Sequence, residues 1–209
     1  MSAKRAKSSP APETAAPSAS IEDQALDAAL RLAATRRWSD IALAEIAAEA
    51  GIALGDMLRH VRSKNALLGV FARRLDAAML AQPVESDSTV KDRLFDLLMR
   101  RFDALGPYRD AVQGILDGMM RDPAVTASLG PSLVHSMRYL AEAAGINPTG
   151  LLGPIKINAL ASVYICTLRV WVKDDSADAA KTMAHLDKQL GRLEGWTSSI
   201  PAFLKKSAA

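Results

Sequence analysis

Five of the side chains between positions 36 and 64 of the sequence form a group that could bind nucleic acid. Arg59 and His60 end a short helical segment, and side chains of these types can hydrogen-bond to base edges in the major groove. The other three are basic residues on either side of this segment, where they would contact phosphates. We therefore predict a DNA-binding site that consists of Arg36, Arg37, Arg59, His60 and Lys64.

The residues that could support catalysis or bind a metal are few. His60, His135 and His185 belong to three separate helical segments, and none of them has the spacing of a metal site. The sequence has no glycine-rich phosphate loop and no nucleophile elbow. We expect a protein that is not an enzyme and that has no catalytic residues, no metal site and no cofactor.

Two further groups of reactive residues have structural interpretations. The single cysteine, Cys166, lies in an apolar helical segment and is predicted to be a small buried residue. A single cysteine excludes a disulfide framework within the chain and fits a reducing cytoplasm. Asp174 and Asp175 are interpreted as charges at the start of the last helix, where the helix dipole stabilises them.

A helix-turn-helix is predicted to position the DNA-binding residues. A first apolar stripe ends at Gly51, which allows a left-handed turn, and Ser63 can cap a third helix. The apolar residues between these points recur at helical spacing. The two stripes are Leu43, Ile46, Ala47 and Ala50 in one helix and Leu54, Met57, Leu58 and Val61 in the next.

These segments carry a resemblance to a known family. The run EIAAEAG, the seven residues that end at His60 and the run SKNALL resemble the DNA-binding half of the tetracycline-repressor (TetR) family. The resemblance implies an all-α fold, with an N-terminal three-helix helix-turn-helix domain and a larger helical ligand-binding and dimerisation domain. It also implies a cytoplasmic homodimer that acts as a ligand-responsive transcriptional regulator, in the role of a repressor.

The chain departs from that family at four positions of the helix-turn-helix. Ala42 stands where the family has a capping Ser or Thr, and it has no hydroxyl for the cap or for a phosphate. In the recognition helix, Ala53 and Asp56 replace small hydroxyl residues, and Leu58 replaces a phosphate-binding Tyr. An aspartate that faces phosphates repels them.

The sequence predicts four parts. Residues 1–20 are expected to be a disordered tail that carries Lys4, Arg5 and Lys7, because they are rich in Ala, Pro and Ser and lack the apolar core of a signal peptide. Residues 21–63 form the helix-turn-helix domain, residues 64–194 the larger domain and residues 195–209 a C-terminal tail. No apolar run is long enough to span a bilayer. The formal net charge of +3 and the pI of about 9.1 permit either nucleic acid or anionic lipid as a partner.

Apolar periodicity predicts helices along the rest of the chain. Trp38 is expected to plug the junction between the first helix and the helix-turn-helix. Gly and Pro are expected to break the later helices, including a break at residues 129–131. The segment from 155 to 172 is so apolar that it should be covered on nearly every side. The predicted helices cover residues 23–36, 89–105, 108–120, 132–144, 155–172 and 177–193, besides those of the helix-turn-helix.

A hydrophobic small molecule or lipid is the predicted ligand of the larger domain. Helical domains of this kind hold ligands between helices, in cavities lined mostly by apolar groups. Methionines suit an adaptable wall. The predicted lining residues are Phe95, Met99, Phe102, Ile115, Met119, Met137, Leu140, Tyr164 and Leu168.

A second resemblance leaves an alternative function open. The runs KDRLFDLLMRRFDALGPYRDAV, HSMRYLAEAAG and INALASVYICTLRVWVKDDSADAAKTMAHLDKQL resemble the lipid-binding accessory family of ubiquinone biosynthesis. Members of that family share the TetR fold without binding DNA. The resemblance implies a lipid-binding accessory protein that associates with a membrane through its C-terminal helix.

Two contact surfaces are expected near the C-terminus. The TetR resemblance implies a dimer seam formed by the last two helices, with Trp171, Met183 and Leu186. The stretch from 195 to 206 suits a weak peripheral contact with a membrane, and a tail folded onto the body of the protein is the alternative. Its membrane-type residues are Trp196, Ile200, Phe203, Leu204, Lys205 and Lys206.

Overall fold

The computed structural model describes residues 20–119, 122–150 and 152–198. Within them the chain is all-α and contains no strand, as the sequence predicts. Two short 3₁₀ turns, Trp38–Asp40 and Gly106–Tyr108, precede the second and sixth helices. The described helices are α1 (Ile21–Ala33), α2 (Leu43–Ala50), α3 (Leu54–His60), α4 (Lys64–Met79), α5 (Val90–Leu105), α6 (Arg109–Met119), α7 (Pro123–Ala143), α8 (Gly153–Trp171) and α9 (Ala180–Ser198).

The first three helices form a small unit around Trp38. α1 begins after Ser20, whose hydroxyl accepts a hydrogen bond from the backbone N–H of Asp23. α2 ends at Gly51, which has a φ of 67° and turns the chain into α3. Trp38 is fully buried, and its Nε1 donates a hydrogen bond to Oδ1 of Asn65 at 2.9 Å. The predicted helix-turn-helix and the predicted role of Trp38 are confirmed.

Helix α4 joins this unit to the rest of the chain. It begins after Ser63, whose hydroxyl accepts a hydrogen bond from the backbone N–H of Ala66, as the sequence predicts. It packs against α1 in the helix-turn-helix unit and against α5 and α7 in the larger part of the fold. A displacement of α4 would therefore shift residues both in the helix-turn-helix unit and in the larger part of the fold.

The larger part of the fold is built around α8, which packs against α5, α7 and α9. The ring of Phe102 on α5 stacks against two rings of α8, with centroid distances of 5.7 Å to Tyr164 and 6.0 Å to Trp171. One side of α8 is not covered by any of the described residues, and it exposes Ile155 and Cys166. The prediction of a buried Cys166 is therefore wrong, because the neighbouring helices contact only the other faces of α8.

The predicted break at residues 129–131 is also wrong. α7 runs continuously over Pro123–Ala143, with Pro131 inside it. Proline removes one backbone donor from a helix and disfavours its continuation. Leu129 and Leu133, on either side of Pro131, nevertheless pack against the same core, and this packing keeps the segment in one helix.

Several helix ends differ from their predicted positions. α1 ends at Ala33, so Arg36 lies in the following loop. α9 begins at Ala180 rather than at 177, because Ala179 has a φ of 54° and interrupts the helical backbone before it. α9 continues to Ser198, so part of the predicted C-terminal tail is helical.

The predicted tails lie mostly outside the described residues. This applies to residues 1–19, with their three basic side chains, and to residues 199–209, with most of the residues predicted to contact a membrane. None of the helices in the described part of the chain combines the length and the apolar character needed to cross a bilayer.

Candidate nucleic-acid interface and ligand cavity

Arg36, in the loop before α2, is bound by other groups of the protein. Its Nη1 donates to Oε1 of Glu45 at 2.6 Å, and its Nη2 donates to the carbonyl of Asp40 at 2.6 Å. The other carboxylate oxygen of Glu45 accepts the backbone N–H of Ala42 at 2.7 Å. The hydrogen bonds from Arg36 and Ala42 lower the pKa of Glu45. Glu45 thus helps to cap α2, where Ala42 has no hydroxyl to do so, and Arg36 holds Glu45 in place.

Arg37 also has an acidic partner. Its Nε donates to Oδ2 of Asp40 at 2.8 Å, while the hydroxyl of Ser39 donates to the other carboxylate oxygen at 2.8 Å. The hydrogen bonds from Ser39 and Arg37 lower the pKa of Asp40. Both side chains of the pair are almost half exposed. A phosphate that replaced Asp40 would therefore find Arg37 accessible.

Lys64 lies differently from its predicted position on a phosphate-binding surface. Its ammonium group donates hydrogen bonds to three backbone carbonyls, those of Trp38 at 2.8 Å, Ser39 at 3.1 Å and Ile41 at 2.7 Å. Burial lowers its pKa. Because an ammonium has three N–H donors and all three have partners here, Lys64 fixes the 3₁₀ turn before α2 and has no donor left for DNA.

The outer face of α3 is mixed in character. Leu54 and Leu58, one turn apart, are 41% and 54% exposed. Arg59 is exposed and forms an ion pair with Asp56 on the same helix. His60 is exposed and has no hydrogen-bond partner within the described residues. The face thus combines two exposed leucines with the ion pair of Asp56 and Arg59 and with the imidazole of His60.

Arg62 is a candidate that the sequence analysis missed. It lies two residues after the end of α3, is exposed, and has no ion pair or hydrogen bond with the described part of the chain. Its position beside Arg59 and His60 gives the C-terminal end of α3 three groups that could face a nucleic acid. Its place in the sequence, between the predicted recognition helix and the Ser63 cap, is the signal that could have identified it.

An apolar cavity of about 110 Å³ lies among α4, α5, α6, α7 and α8. Four of the predicted lining residues are found there: Ile115, Met119, Tyr164 and Leu168. α4 contributes four more, which the sequence did not predict and which share one helical face: Leu68, Phe71, Ala72 and Leu75.

Five predicted lining residues are not part of this cavity. Phe102, Met137 and Leu140 are fully buried in the packed core. Phe95 and Met99 pack against that core. α5 presents Arg101 and Leu105 to the cavity, and helical spacing places Phe95 and Met99 on a different face.

A buried ion pair stands at the wall of the cavity. Arg101 is 2% exposed and pairs with Asp76, while its Nη2 donates to the hydroxyl of Ser136 at 3.1 Å. That hydroxyl in turn donates to the same carboxylate, and the guanidinium lies 5.2 Å from the ring centroid of Tyr164. Burial opposes the charge of Arg101, but Tyr164 and Asp76 raise its pKa overall. This cavity, which we call the inner cavity, therefore has one polar wall, and that wall carries no net charge.

The same cavity adjoins an outer cleft of about 490 Å³ between α6, α7 and α8. Five apolar residues line both spaces. The outer cleft also has a polar rim, formed by Gln113 and Asp117 on α6, by Arg169 on α8 and by Lys173 in the turn that follows α8. The shared residues are Leu116, Met119, Leu129, Leu133 and Ile165.

Helix α6 connects the cavity with the helix-turn-helix unit. Its Ile115 and Met119 face the cavity. Gly114 lies so close to the end of α1 that an added Cβ would be 2.1 Å from the carbonyl oxygen of Ala33. Gly118 lies against Trp38 in the same way, at 3.0 Å from its Cβ. A molecule in the cavity thus touches a helix that also contacts the helix-turn-helix unit.

The predicted dimer seam needs correction. Trp171 and Leu186 are buried within the chain, and only Met183 is partly exposed. The uncovered face of α8 instead presents small and polar residues at helical spacing. These are Asn158, Ser162 and Cys166.

No group of acidic, histidine or cysteine side chains that could hold a metal ion occurs in the described ranges. The buried carboxylate of Asp174 is used structurally, since its oxygens accept the backbone N–H of Thr182 at 2.8 Å and that of Ser176 at 3.1 Å. It therefore caps the start of α9.

Comparison with solved structures identifies the fold. The chain is similar to a TetR transcriptional regulator from Nitrosomonas europaea ATCC 19718, with 22% sequence identity and a TM-score of 0.65 over 84% of this chain and 98% of that one. It is also similar to a TetR transcriptional regulator from Rhodococcus sp. RHA1, with 19% identity and a TM-score of 0.62 over 83% and 94% of the two chains.

A third similar structure is a TetR-family transcriptional regulator from Streptomyces coelicolor, with 15% identity and a TM-score of 0.58 over 88% of each chain. Neither a protein-family model nor a curated protein matches the sequence. The structural similarity shows that this chain has the TetR-type all-α fold.

Proposed function

We propose that this protein is a TetR-type transcriptional regulator that binds DNA as a homodimer and responds to a hydrophobic ligand. The observation that carries the proposal is the position of α3. Its outer face is exposed at the end of the helix-turn-helix unit, and Arg59, His60 and Arg62 lie together where a recognition helix would meet the major groove. The solved structures that share the fold are described as regulators of this type.

The response to a ligand is supported by the position of α6. A ligand in the apolar cavity would contact Ile115 and Met119, and Gly114 and Gly118 on the same helix pack against α1 and Trp38. A ligand that favoured one position of α6 would therefore change the placement of α3 and hence the affinity for DNA. In this proposal the regulator is a repressor that acts in the cytoplasm.

Dimerisation would bring two copies of α3 to successive turns of the major groove. The uncovered face of α8 is suitable for this contact, since Asn158, Ser162 and Cys166 are small enough to let two helices approach closely. We place the seam here rather than at Trp171 and Leu186.

The proposal is tested by DNA binding of the purified full-length chain. Fluorescence anisotropy should show tighter binding to the DNA upstream of its own gene than to a random duplex of the same length. The affinity should fall steeply with salt, because phosphate contacts release counterions. Arg59→Ala should reduce the preference for the specific DNA, and Lys188→Ala, an exposed change on α9, should not.

Equal binding to both duplexes, together with no effect of Arg59→Ala, would refute the proposal that the protein is a transcriptional regulator. In that case binding to liposomes, with the same variants as controls, would test the lipid-binding accessory function that the second sequence resemblance implies.

A further inference from the structure

The outer cleft has two cationic side chains that the fold does not use. Arg169 and Lys173 are one turn apart near the end of α8, and both are exposed. Neither side chain has an ion pair or hydrogen bond with the residues that the structure describes, whereas most other cations of the larger part of the fold do. Their ammonium and guanidinium groups stand at the rim of an otherwise mainly apolar cleft.

The opposite rim is formed by α6. It contributes the amide of Gln113 and the carboxylate of Asp117. The described rim therefore has two positive groups and one negative group. An anion bound between the helices would meet a small net positive charge and two or more hydrogen-bond donors.

The inner cavity has the opposite character. Its walls are apolar except for Ser132, the hydroxyl of Tyr164 and the buried guanidinium of Arg101. The charge of Arg101 is already compensated by Asp76. An anionic group placed there would lose its hydration beside a carboxylate, which is strongly unfavourable. The inner cavity therefore accepts the apolar end of a ligand and excludes a charged end.

From this arrangement we infer that the ligand is an amphipathic anion. Its apolar chain runs along the wall that the two spaces share, so that only its end enters the inner cavity of about 110 Å³, and its anionic head group lies at Arg169 and Lys173 in the outer cleft. The five residues that line both spaces form a continuous apolar path between these two ends. The inference rests on the proposed function, since it names the class of ligand to which the regulator responds.

The experiment compares two probes that have the same ten-carbon alkyl chain and different head groups, decyl phosphate and decanol. Calorimetry measures the binding of each probe to the full-length protein in the absence of DNA. Each probe is used below its critical micelle concentration. We expect decyl phosphate to bind about tenfold more tightly than decanol, because its phosphate can form partly solvated ion pairs with Arg169 and Lys173. The difference should shrink at high salt.

Variants then locate the head group. Arg169→Gln combined with Lys173→Gln should abolish the preference for decyl phosphate and leave decanol binding unchanged. Asp117→Asn should increase the preference, because it removes the carboxylate of the rim. The matched control is Arg138→Gln combined with Lys188→Gln, which removes the same charge from exposed positions that do not line the cleft.

Equal affinities for the two probes, absence of binding by either, or an unchanged preference in the Arg169 and Lys173 variant would overturn the inference. None of these results concerns specific DNA binding, which is measured separately. The inference about the ligand can therefore fail while the proposal that the protein is a regulator is upheld. Conversely, charge-dependent ligand binding by a protein without specific DNA binding would leave the ligand class correct and refute the regulator.

Discussion

Asp56 and Arg59 form an ion pair across one turn of α3, on the face that a recognition helix presents to DNA. The pair neutralises the most exposed cation of this helix and places a carboxylate beside it. Arg59 would have to leave Asp56 in order to bind a guanine or a phosphate, and Asp56 would then repel the phosphates nearby. In the proposed regulator, this one contact would therefore set part of the affinity for DNA.

Replacing Asp56 should strengthen DNA binding. We expect Asp56→Thr to raise the affinity by about tenfold, the size of one additional base contact, because it frees Arg59 and removes a negative charge. Anisotropy titrations over a range of salt concentrations would measure the change, and thermal unfolding would show that the variant is folded.

The double variant with Arg59→Ala provides the control for that prediction. In the absence of Arg59, Asp56→Thr should still raise the affinity for DNA, but only by the part that comes from removing the repulsion between Asp56 and the phosphates. An unchanged affinity in a folded Asp56→Thr variant would mean that this face of α3 does not meet DNA.

Arg62 and Lys64 should respond differently to substitution, although both are basic and lie only two positions apart. Arg62→Ala should weaken DNA binding and reduce its salt dependence by about one phosphate contact, without a change in thermal stability. Lys64→Met should lower stability by roughly 1 to 3 kcal/mol, because three carbonyls lose their donor. Calorimetric unfolding and DNA titration of both variants would separate the two roles, and a stable Lys64→Met protein would contradict the second.

Local signals in the sequence were sufficient to predict the helix-turn-helix. Gly51 as the turn, Ser63 as a cap and Trp38 as a core residue all follow from their own chemistry and that of near neighbours. The sequence could not show that the ammonium of Lys64 points inward, because its carbonyl partners lie more than twenty residues before it.

The candidate cavity was harder to predict, for a related reason. An apolar residue at helical spacing can face either a packed core or a void, and only the arrangement of neighbouring helices decides which. Met137 is fully buried in the core, whereas Met119 lines the cavity. Likewise, Pro131 is a reliable local signal for a break, but the tertiary packing of α7 overrides it.

The close contact between α1 and α6 should make Gly114 intolerant of a side chain. We expect Gly114→Ala to destabilise the protein by about 1 to 3 kcal/mol, since the added methyl group would overlap the carbonyl of Ala33 and force the helices apart. Urea unfolding would measure the loss. The matched control is Gly55→Ala in α3, where a Cβ would meet no atom within 4 Å.

Gly55→Ala should instead stabilise the chain by about 0.5 to 1 kcal/mol, because alanine loses less conformational entropy in a helix than glycine does. If both variants were equally stable, the space between Gly114 on α6 and Ala33 on α1 would be larger than in this structure.

A charged residue on the uncovered face of α8 should prevent dimerisation. Ser162→Arg places a long cation where two copies would approach, so the variant should sediment as a monomer in analytical ultracentrifugation. Ala48→Arg, at an exposed position on α2, adds the same side chain away from this face and should leave the dimer intact. Dimers of equal strength in both variants would exclude this face of α8 as the seam.

The buried carboxylate of Asp174 should make stability depend on pH in the acid range. Burial alone would raise the pKa of Asp174, but hydrogen bonds from Ser176 and Thr182 lower it well below its ordinary value of 3.8. The folded state therefore binds a proton less readily than the unfolded state. The stabilisation is complete above pH 3.8 and is lost as the pH falls below that value.

Asp174→Asn tests this dependence. At neutral pH the variant should be less stable by roughly 1 to 3 kcal/mol, because an amide cannot accept all the hydrogen bonds that the carboxylate accepts at the start of α9. The difference from the unmodified protein should shrink as the pH falls below 3.8, because the carboxylate of Asp174 then takes up a proton in the unfolded state while it stays ionised in the folded state. Asp175→Asn is the control, since Asp175 is exposed and should contribute little at any pH. Thermal unfolding from pH 7 to pH 3 would measure all three proteins, and a difference that did not change with pH would show that the charge of Asp174 is not what stabilises α9.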